Sequence, residues 1–162
     1  MLNCRHGKYC LIRLGGGCFT KAKNQRIIDR LESNDFAQFC RNHYVLLAIL
    51  HGSRATDNTR DDSDFDLALL LDCDLKKDAL EAGALKRSLL HKLIQFLSSS
   101  RMDLTILNTA STYFKHEVTQ KGKLLFEAEE ETYAKFASLV IRSISDDRLF
   151  REAEKKYISM QV

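Results

Sequence analysis

The chain has 162 residues, of which 44% are hydrophobic and 29% are charged, and its formal net charge is +3. These values indicate one globular domain with a core, because the chain is too short for two domains of ordinary size. Its apolar runs are far shorter than the ~20 residues of a membrane span, and its N-terminus lacks the apolar segment of a secretory signal. An odd number of cysteines, five, then predicts reduced thiols and a cytoplasmic location.

The N-terminal segment differs from the rest of the chain. Residues 1–22 have weak periodicity, and we expect an arm that contains a short strand over 9–14 or is poorly ordered, before a domain over 23–162. Residues 1–30 hold seven basic side chains against one acidic residue, Asp29. This charge is either a solvated surface or a surface for an acidic partner, nucleic acid included.

Two patterns in this segment match known sites poorly. Cys4, His6, Cys10 and Cys18 do not have the spacing of zinc knuckles. The glycines at 15–17 lack the Gly-Lys-Ser/Thr ending of a P-loop, and we interpret them as a turn.

The domain alternates helical and strand patterns. Helices are predicted over about 24–42, 76–97, 110–120 and 129–162, and strands over 44–50, 65–71, 102–107 and 123–126. We expect Ser33 or Asn34 to cap a new helix, Gly122 to be a C′ glycine, and Asp146–Asp147 to break the last helix. This order predicts an α/β (α+β) fold, a small mixed sheet flanked by helices.

Two helices carry predicted apolar stripes. In the helix over 76–97 the stripe is Leu80, Leu89, Leu90, Leu93, Ile94 and Leu97. In the last helix it is Tyr133, Phe136, Ala137, Val140, Ile141 and Ile144.

The segment HGSRATDNTRDDSDFDLALLL, residues 51–71, gathers five aspartates directly before an apolar strand. Gly52-Ser53 follows a strand and allows a backbone turn whose amides and hydroxyl contact a phosphate. Asp64 and Asp66 project from one face of the next strand, with Phe65 turned into the core. Two such charges ~4 Å apart cost about 4 kcal/mol at an effective dielectric of ~20, so this pair favours Mg²⁺, which takes carboxylate and phosphate oxygens.

A third carboxylate, Asp103, lies near the start of the strand over 102–107. If that strand neighbours the one after Asp64, three carboxylates meet beside the phosphate-binding turn. This is the layout for two-metal nucleotidyl transfer, with two Mg²⁺ ions. A calcium loop starting at Asp62 is disfavoured, because Leu67 and Cys73 stand where that loop needs Gly and Glu. The five histidines lack ligand spacing, although His51 adjoins the turn and is a candidate nucleotide contact.

Gly52-Ser53, Asp64-x-Asp66 ten residues later and the strand carrying Asp103 resemble the signature of nucleotidyltransferases with the polymerase-beta type fold. Over about residues 25–158 the chain looks most like the minimal members encoded beside HEPN-domain toxins, which act as antitoxins. The resemblance implies that Gly52, Ser53 and Arg54 bind ATP, and that Asp64, Asp66 and Asp103 bind the metals. It also implies that Asp103 helps to deprotonate the acceptor, a tyrosine hydroxyl of a HEPN-type RNase toxin, to which AMP is transferred.

The chain departs from this family pattern in two places. Thr56-Asp57 replaces the Arg-Gly that many relatives carry after GSRA, and residues 1–22 have no counterpart. Three alternatives stay open: nucleotidyl transfer to a small molecule, transfer to RNA, and a non-catalytic protein that masks the toxin. The first two usually need a larger second domain, for which the chain leaves little room.

Overall fold

The computed structural model describes residues 17–55, 63–73 and 79–159. Its side chains are described over 24–55, 63–73, 80–146 and at 148. The predicted strand over 9–14 and the Cys4, His6, Cys10 and Cys18 side chains lie outside these ranges. The division of the chain into an arm over 1–22 and a domain over 23–162 therefore stays a prediction.

Five helices and four strands make up the part of the chain that the structure describes. In order they are α1 (Gly17–Leu31), α2 (Asn34–Asn42), β1 (Val45–His51), a 3₁₀ turn (Gly52–Ala55), β2 (Phe65–Leu71), α3 (Ala79–Leu97), β3 (Met102–Ile106), α4 (Thr112–Lys121), β4 (Lys123–Glu127) and α5 (Thr132–Ser159). None of the helices in these ranges is both long enough and apolar enough to cross a bilayer.

The four strands form one sheet in the order β3-β2-β1-β4. β1 pairs antiparallel with both β2 and β4, whereas β2 and β3 run parallel. The parallel pair needs a crossover, and α3 provides it between β2 and β3. The predicted mixed sheet flanked by helices is confirmed.

The two faces of the sheet bury different side chains, because successive strand residues point to opposite faces. One face packs against α1, α2 and α3. The fully buried residues between them include Phe65, Leu67 and Leu104 of the sheet and Leu93 of α3. The other face carries Ile49 and Ala68 and is covered by Val118 of α4 and by the start of α5. His51, Asp66 and Asp103 project from this second face, beyond its apolar part.

The first helical pattern is two helices, as the predicted interruption requires. Ser33 is the N-cap of α2, and its Oγ accepts a hydrogen bond from the Phe36 backbone N–H at 3.3 Å. The helix before it begins at Gly17, earlier than the predicted residue 24. The strand β1 begins one residue later than predicted, because Tyr44 adopts a left-handed conformation with φ of 53°.

Two predictions about the apolar stripes are wrong. Leu80 is 84% exposed, since nine residues along a helix place it half a turn away from the buried Leu89. Ile141 is half exposed, because it lies at the edge of the stripe that buries Val140.

Two predicted helix ends also differ from the structure. α5 runs through Asp146–Asp147 without a break, because the low helix propensity of aspartate costs only a fraction of a kcal/mol per residue. Gly122 caps α4 with φ of −80° and ψ of 157°, so it is extended rather than left-handed. Glycine is needed there for a different reason: a Cβ would collide with the Val118 carbonyl and the Ile49 side chain.

Candidate functional site

Three polar side chains form a row across the sheet at the end of β1. His51 is paired with Asp66 in the antiparallel β1–β2 register, and Asp66 is paired with Asp103 in the parallel β2–β3 register. Residues paired in this way project from the same face. The sequence-based expectation that the strand of Asp103 neighbours that of Asp66 is therefore confirmed.

Asp64 stands one residue before β2 and is exposed. The next residue, Phe65, is 0% exposed and packs into the core on the opposite face, as predicted. The alternation of the chain thus puts Asp64 and Asp66 on the open face and anchors them through Phe65.

Gly52 brings the turn after β1 into contact with this row. Its φ of +72° is in the left-handed region that favours glycine. A Cβ on Gly52 would also overlap the Asp66 carboxylate. Glycine is therefore required at this position both for backbone conformation and for the close approach of the turn to Asp66.

Arg54 closes the segment between the 3₁₀ turn and β2. Its Nε donates a hydrogen bond to the Ser63 carbonyl at 2.9 Å, and its Nη2 donates to the same oxygen. The guanidinium also lies over the Phe65 ring, 4.1 Å from the centroid. Arg54 therefore holds the two ends of the loop together, while residues 56–62, with Asp57, Asp61 and Asp62, lie outside the described residues.

The carboxylate of Asp66 is affected both by burial and by the charges around it. Burial raises its pKa above the usual value, and the charges of Asp103 and Asp64 raise it further. His51 and Arg54 oppose this shift. A bound cation would offset both the cost of burying the Asp66 charge and the repulsion from Asp103 and Asp64. The carboxylate oxygens therefore fit a hard metal ion such as Mg²⁺.

Asp103 also has contacts with its own strand and with α3. Its Oδ1 accepts a hydrogen bond from the Leu104 N–H at 2.7 Å and lies 4.0 Å from Nζ of Lys86 on α3. Within the part of the chain that the structure describes, no three His, Cys, Asp or Glu side chains already have the arrangement of a metal site.

His51 differs from the expectation for an ordinary surface or core histidine. Its Nε2 atom is buried and has no hydrogen-bond partner. Burial lowers its pKa, although the charges of Asp66 and Asp103 oppose the shift. Its ring lies perpendicular to that of Phe114 on α4, with centroids 5.3 Å apart.

Sequence reasoning missed two residues at this site, Lys86 and Phe114. Both lie on helices that are far along the chain from the motif, and no spacing rule links them to it. Only the packing of α3 and α4 against the sheet brings them to His51 and Asp103.

Comparisons with known proteins match the same region. Residues 34–131 match the family model described as polymerase beta, nucleotidyltransferase. A protein from Aphanizomenon flos-aquae (strain 2012/KM1/D3), named protein adenylyltransferase MntA, is 30% identical over 105 residues, which are 62% of this chain and 69% of that protein.

Solved structures show the same fold. A toxin–antitoxin structure with AMP-PNP is 25% identical with a TM-score of 0.60, over 77% of this chain and 96% of that chain. A toxin–antitoxin MntA-HepT structure is 25% identical with a TM-score of 0.52, over 85% of this chain and 97% of that chain. The complex of tri-AMPylated Shewanella oneidensis HEPN toxin with MNT antitoxin is 23% identical with a TM-score of 0.53, over 86% and 98% of the two chains, and supports the fold alone.

Proposed function

The chain belongs to the polymerase beta nucleotidyltransferase family, and we propose that it is an antitoxin that transfers AMP from ATP to a tyrosine hydroxyl of a HEPN-type toxin. The enzyme class follows from the family. The nucleotide, the metal, the acceptor and the partner are the content of the proposal.

One observation carries the proposal. Asp66 lies in register with Asp103 and in contact with Gly52. Carboxylates suited to a metal ion therefore lie next to a turn suited to a phosphate, on one face of the sheet. A structural role explains this poorly, because burial and the charges of Asp103 and Asp64 raise the pKa of Asp66, and His51 and Arg54 offset this shift only in part. The arrangement is suited to a triphosphate with Mg²⁺.

Each site residue has a role in this proposal. Gly52 and Ser53 bind the triphosphate through backbone amides and the Ser53 hydroxyl. Arg54 orients this turn through Ser63 and Phe65, and its contact with the nucleotide stays a prediction. Asp64, Asp66 and Asp103 would hold two Mg²⁺ ions, which would neutralise the triphosphate and activate the acceptor oxygen.

The transfer step exchanges one phosphorus–oxygen bond for another. The tyrosine oxygen bonds to the α-phosphorus of ATP, the bond from that phosphorus to the oxygen bridging to the β-phosphate breaks, and pyrophosphate leaves. Asp103 helps to accept the tyrosine proton. AMP on the toxin adds a bulky anion there, which we expect to hinder the binding of RNA.

The relatives support the choice of substrate and partner. The cyanobacterial relative is named a protein adenylyltransferase, and the toxin–antitoxin structure at 25% identity contains AMP-PNP, an analogue of ATP. A second structure at that identity pairs MntA with HepT. We place the reaction in the cytoplasm, where the five cysteines stay reduced.

The test is to incubate the chain with ATP, Mg²⁺ and the product of the neighbouring toxin gene, and to measure the intact mass of both proteins. The proposal predicts a gain of one or more AMP units on the toxin. Asp64→Asn/Asp66→Asn should abolish the gain, whereas Asp72→Asn, at the far end of β2, should keep it. Toxin neutralisation that survives undiminished in the double variant would instead establish masking without catalysis.

A further inference from the structure

A groove of about 300 Å³ lies between the first half of α3 and the end of β3. β3 is an edge strand of the sheet that the structure describes, so the groove runs beside the outer edge of that sheet. Its volume is at the lower end of ligand pockets, roughly 300–1,000 Å³, and is suited to one side chain of a partner. Its lining residues include Ala82, Gly83 and Lys86 of α3 and Thr105, Ile106 and Thr109 on or after β3.

Lys86 connects this groove to the proposed active site. It lines the groove, and its Nζ lies 4.0 Å from Oδ1 of Asp103. Thr105, another lining residue, follows Asp103 by two positions on β3 and therefore projects from the same face of the sheet. The two residues are ~7 Å apart along the strand. A side chain that enters the groove is therefore within reach of the Asp103 carboxylate.

The geometry of the transfer step favours the acceptor in this groove. In an in-line displacement the attacking oxygen enters opposite the leaving oxygen. The proposed function places the leaving pyrophosphate at the turn of Gly52, on the β1 side of Asp66. The attacking oxygen then enters from the β3 side, where Asp103 and the groove lie.

The outer edge of β3 is better suited to receive a side chain than an added strand. The backbone groups of Leu104 and Ile106 point away from β2, because alternate residues of a strand bond to one neighbour. The Leu104 N–H donates a hydrogen bond to Asp103 Oδ1 at 2.7 Å. The Ile106 carbonyl accepts one from Thr109 Oγ1 at 3.4 Å. A peptide that paired with this edge would have to displace both side chains.

We propose that this groove receives the acceptor tyrosine of the toxin, with the ring between α3 and β3 and the hydroxyl directed to Asp103. The inference rests on the proposed function and gives its acceptor a binding site. Ala82 and Ile106 offer the ring an apolar surface. Lys86 and Thr105 carry hydrogen-bonding groups on the side of the groove toward the carboxylate.

The experiment fills the groove without changing the residues proposed to bind the nucleotide and the metal. Gly83→Trp and Thr109→Trp enter the groove from its two walls. Gly83 has room for a side chain, because the closest contact of an added Cβ would be Arg87 Nη1 at 3.5 Å. A single methyl group there occupies little of the groove, so only a large side chain should block the acceptor.

Steady-state AMP transfer is measured against toxin concentration, and the affinity for ATP–Mg²⁺ is measured by calorimetry. We expect kcat/KM for the toxin to fall at least about tenfold in both variants, with unchanged affinity for ATP–Mg²⁺. Ala84→Trp is the matched control, because Ala84 is exposed on the same helix and does not line the groove. Its kcat/KM should equal that of the wild type.

A cross-linking measurement keeps the test valid if a tryptophan variant fails to fold. Thr109 is exposed, so a photoreactive benzophenone amino acid can replace it. The chain should then cross-link to the toxin segment that contains the modified tyrosine, which peptide mass spectrometry identifies. The same group at Ala84 should give no cross-link to that segment.

The possible outcomes separate this inference from the proposed function. Wild-type kcat/KM in both folded variants, or a Thr109 cross-link only to other parts of the toxin, would overturn the groove as the acceptor site while AMP transfer itself stands. A loss of transfer matched by an equal loss of ATP–Mg²⁺ affinity would overturn it as well. A wild-type chain that transfers no AMP to the toxin would contradict the proposed function together with the acceptor site.

Discussion

At the scale of one residue, Asp66 destabilises the folded protein but is suited to bind a cation. Burial raises its pKa, and the neighbouring Asp103 and Asp64 raise it further. The folded state therefore holds the proton of Asp66 more tightly than the unfolded state does, and ionisation at neutral pH destabilises the fold. A carboxylate retained under these conditions is better explained by a bound cation than by stability.

Asp66→Asn should separate these two effects. In the presence of EDTA at pH 7 the variant should melt at a higher temperature than the wild type, because the neutral amide avoids the ionisation cost. AMP transfer should fall by at least about 100-fold, because a metal ligand is lost. Differential scanning calorimetry and toxin mass measurements check the two effects, and a lower melting temperature would mean that Asp66 is structural.

Cys40 is a buried thiol on α2, remote from the site. Burial raises its pKa to about 12 from 9.0, with Arg41 opposing the shift. Above pH 9 the unfolded chain loses this proton while the folded chain keeps it, so stability falls as pH rises toward 12.

Relative to Cys40→Ala, the wild type should therefore lose about 1.4 kcal/mol of unfolding free energy per pH unit above pH 9. Urea unfolding of both proteins at pH 7.5 and pH 10 measures this difference. Equal losses of unfolding free energy in the two proteins would contradict the raised pKa of Cys40 in the folded chain.

Which residues could be predicted from sequence depends on the range of their contacts. Asp64 and Asp66 share a face because strands alternate every two residues, and Asp103 follows from the adjacency of successive strands. The stacking of Arg54 on Phe65 is a contact between elements that no spacing encodes. The same is true of Asn108, whose side chain accepts from the Leu71 N–H and donates to the Leu71 carbonyl, both at 2.9 Å.

At the scale of elements, the turn after β1 determines the geometry of the site. Gly52 is left-handed and touches Asp66, whereas Gly83 lies inside α3, where a Cβ would make an ordinary contact with Arg87 Nη1 at 3.5 Å. The two glycines therefore form a matched pair for the same substitution.

Gly52→Ala should destabilise the protein by about 1–3 kcal/mol and abolish AMP transfer, because it combines an unfavourable φ with a clash at Asp66. Gly83→Ala should stabilise it by about 0.5–1 kcal/mol and leave transfer intact. Chemical denaturation and the toxin mass assay measure both. A Gly52→Ala protein as stable and active as the wild type would refute the close approach of the turn.

The elements that sequence predicted best are the buried strands, where apolar runs of fixed length leave little freedom. Leu80 lies off the predicted stripe because its angle around the helix, not its apolar character, determines whether it is buried. α5 continues through Asp146–Asp147 because low helix propensity at two positions is a weak signal, and a long helix tolerates it.

At the scale of the whole molecule, the sheet has one face that is fully packed and one that is packed only in part. α1, α2 and α3 cover the first face, while α4 and α5 cover the second around Ile49 and Val118. Asp66 and Asp103 lie beyond this cover, whereas His51 at the end of the same row contacts Phe114 of α4. The packed face of the sheet thus holds the strands of the carboxylates in place, and the side on which the carboxylates lie is open to a substrate.

Ligand binding should stabilise the whole domain. ATP and Mg²⁺ together at about 100 times the dissociation constant should add about 2.7 kcal/mol to the unfolding free energy. Mg²⁺ alone should add less, and Asp64→Asn/Asp66→Asn should remove the effect of the pair. Thermal melting measures these shifts, and the absence of any shift at millimolar ATP–Mg²⁺ would argue strongly against the site.

The most direct test of the central claim is a crystal structure of the chain with Mn²⁺ and AMP-PNP, with the metal located by anomalous scattering. The account predicts manganese bound directly to the carboxylates of Asp64, Asp66 and Asp103, with the triphosphate on Gly52 and Ser53. Manganese or nucleotide found only at other residues would contradict it.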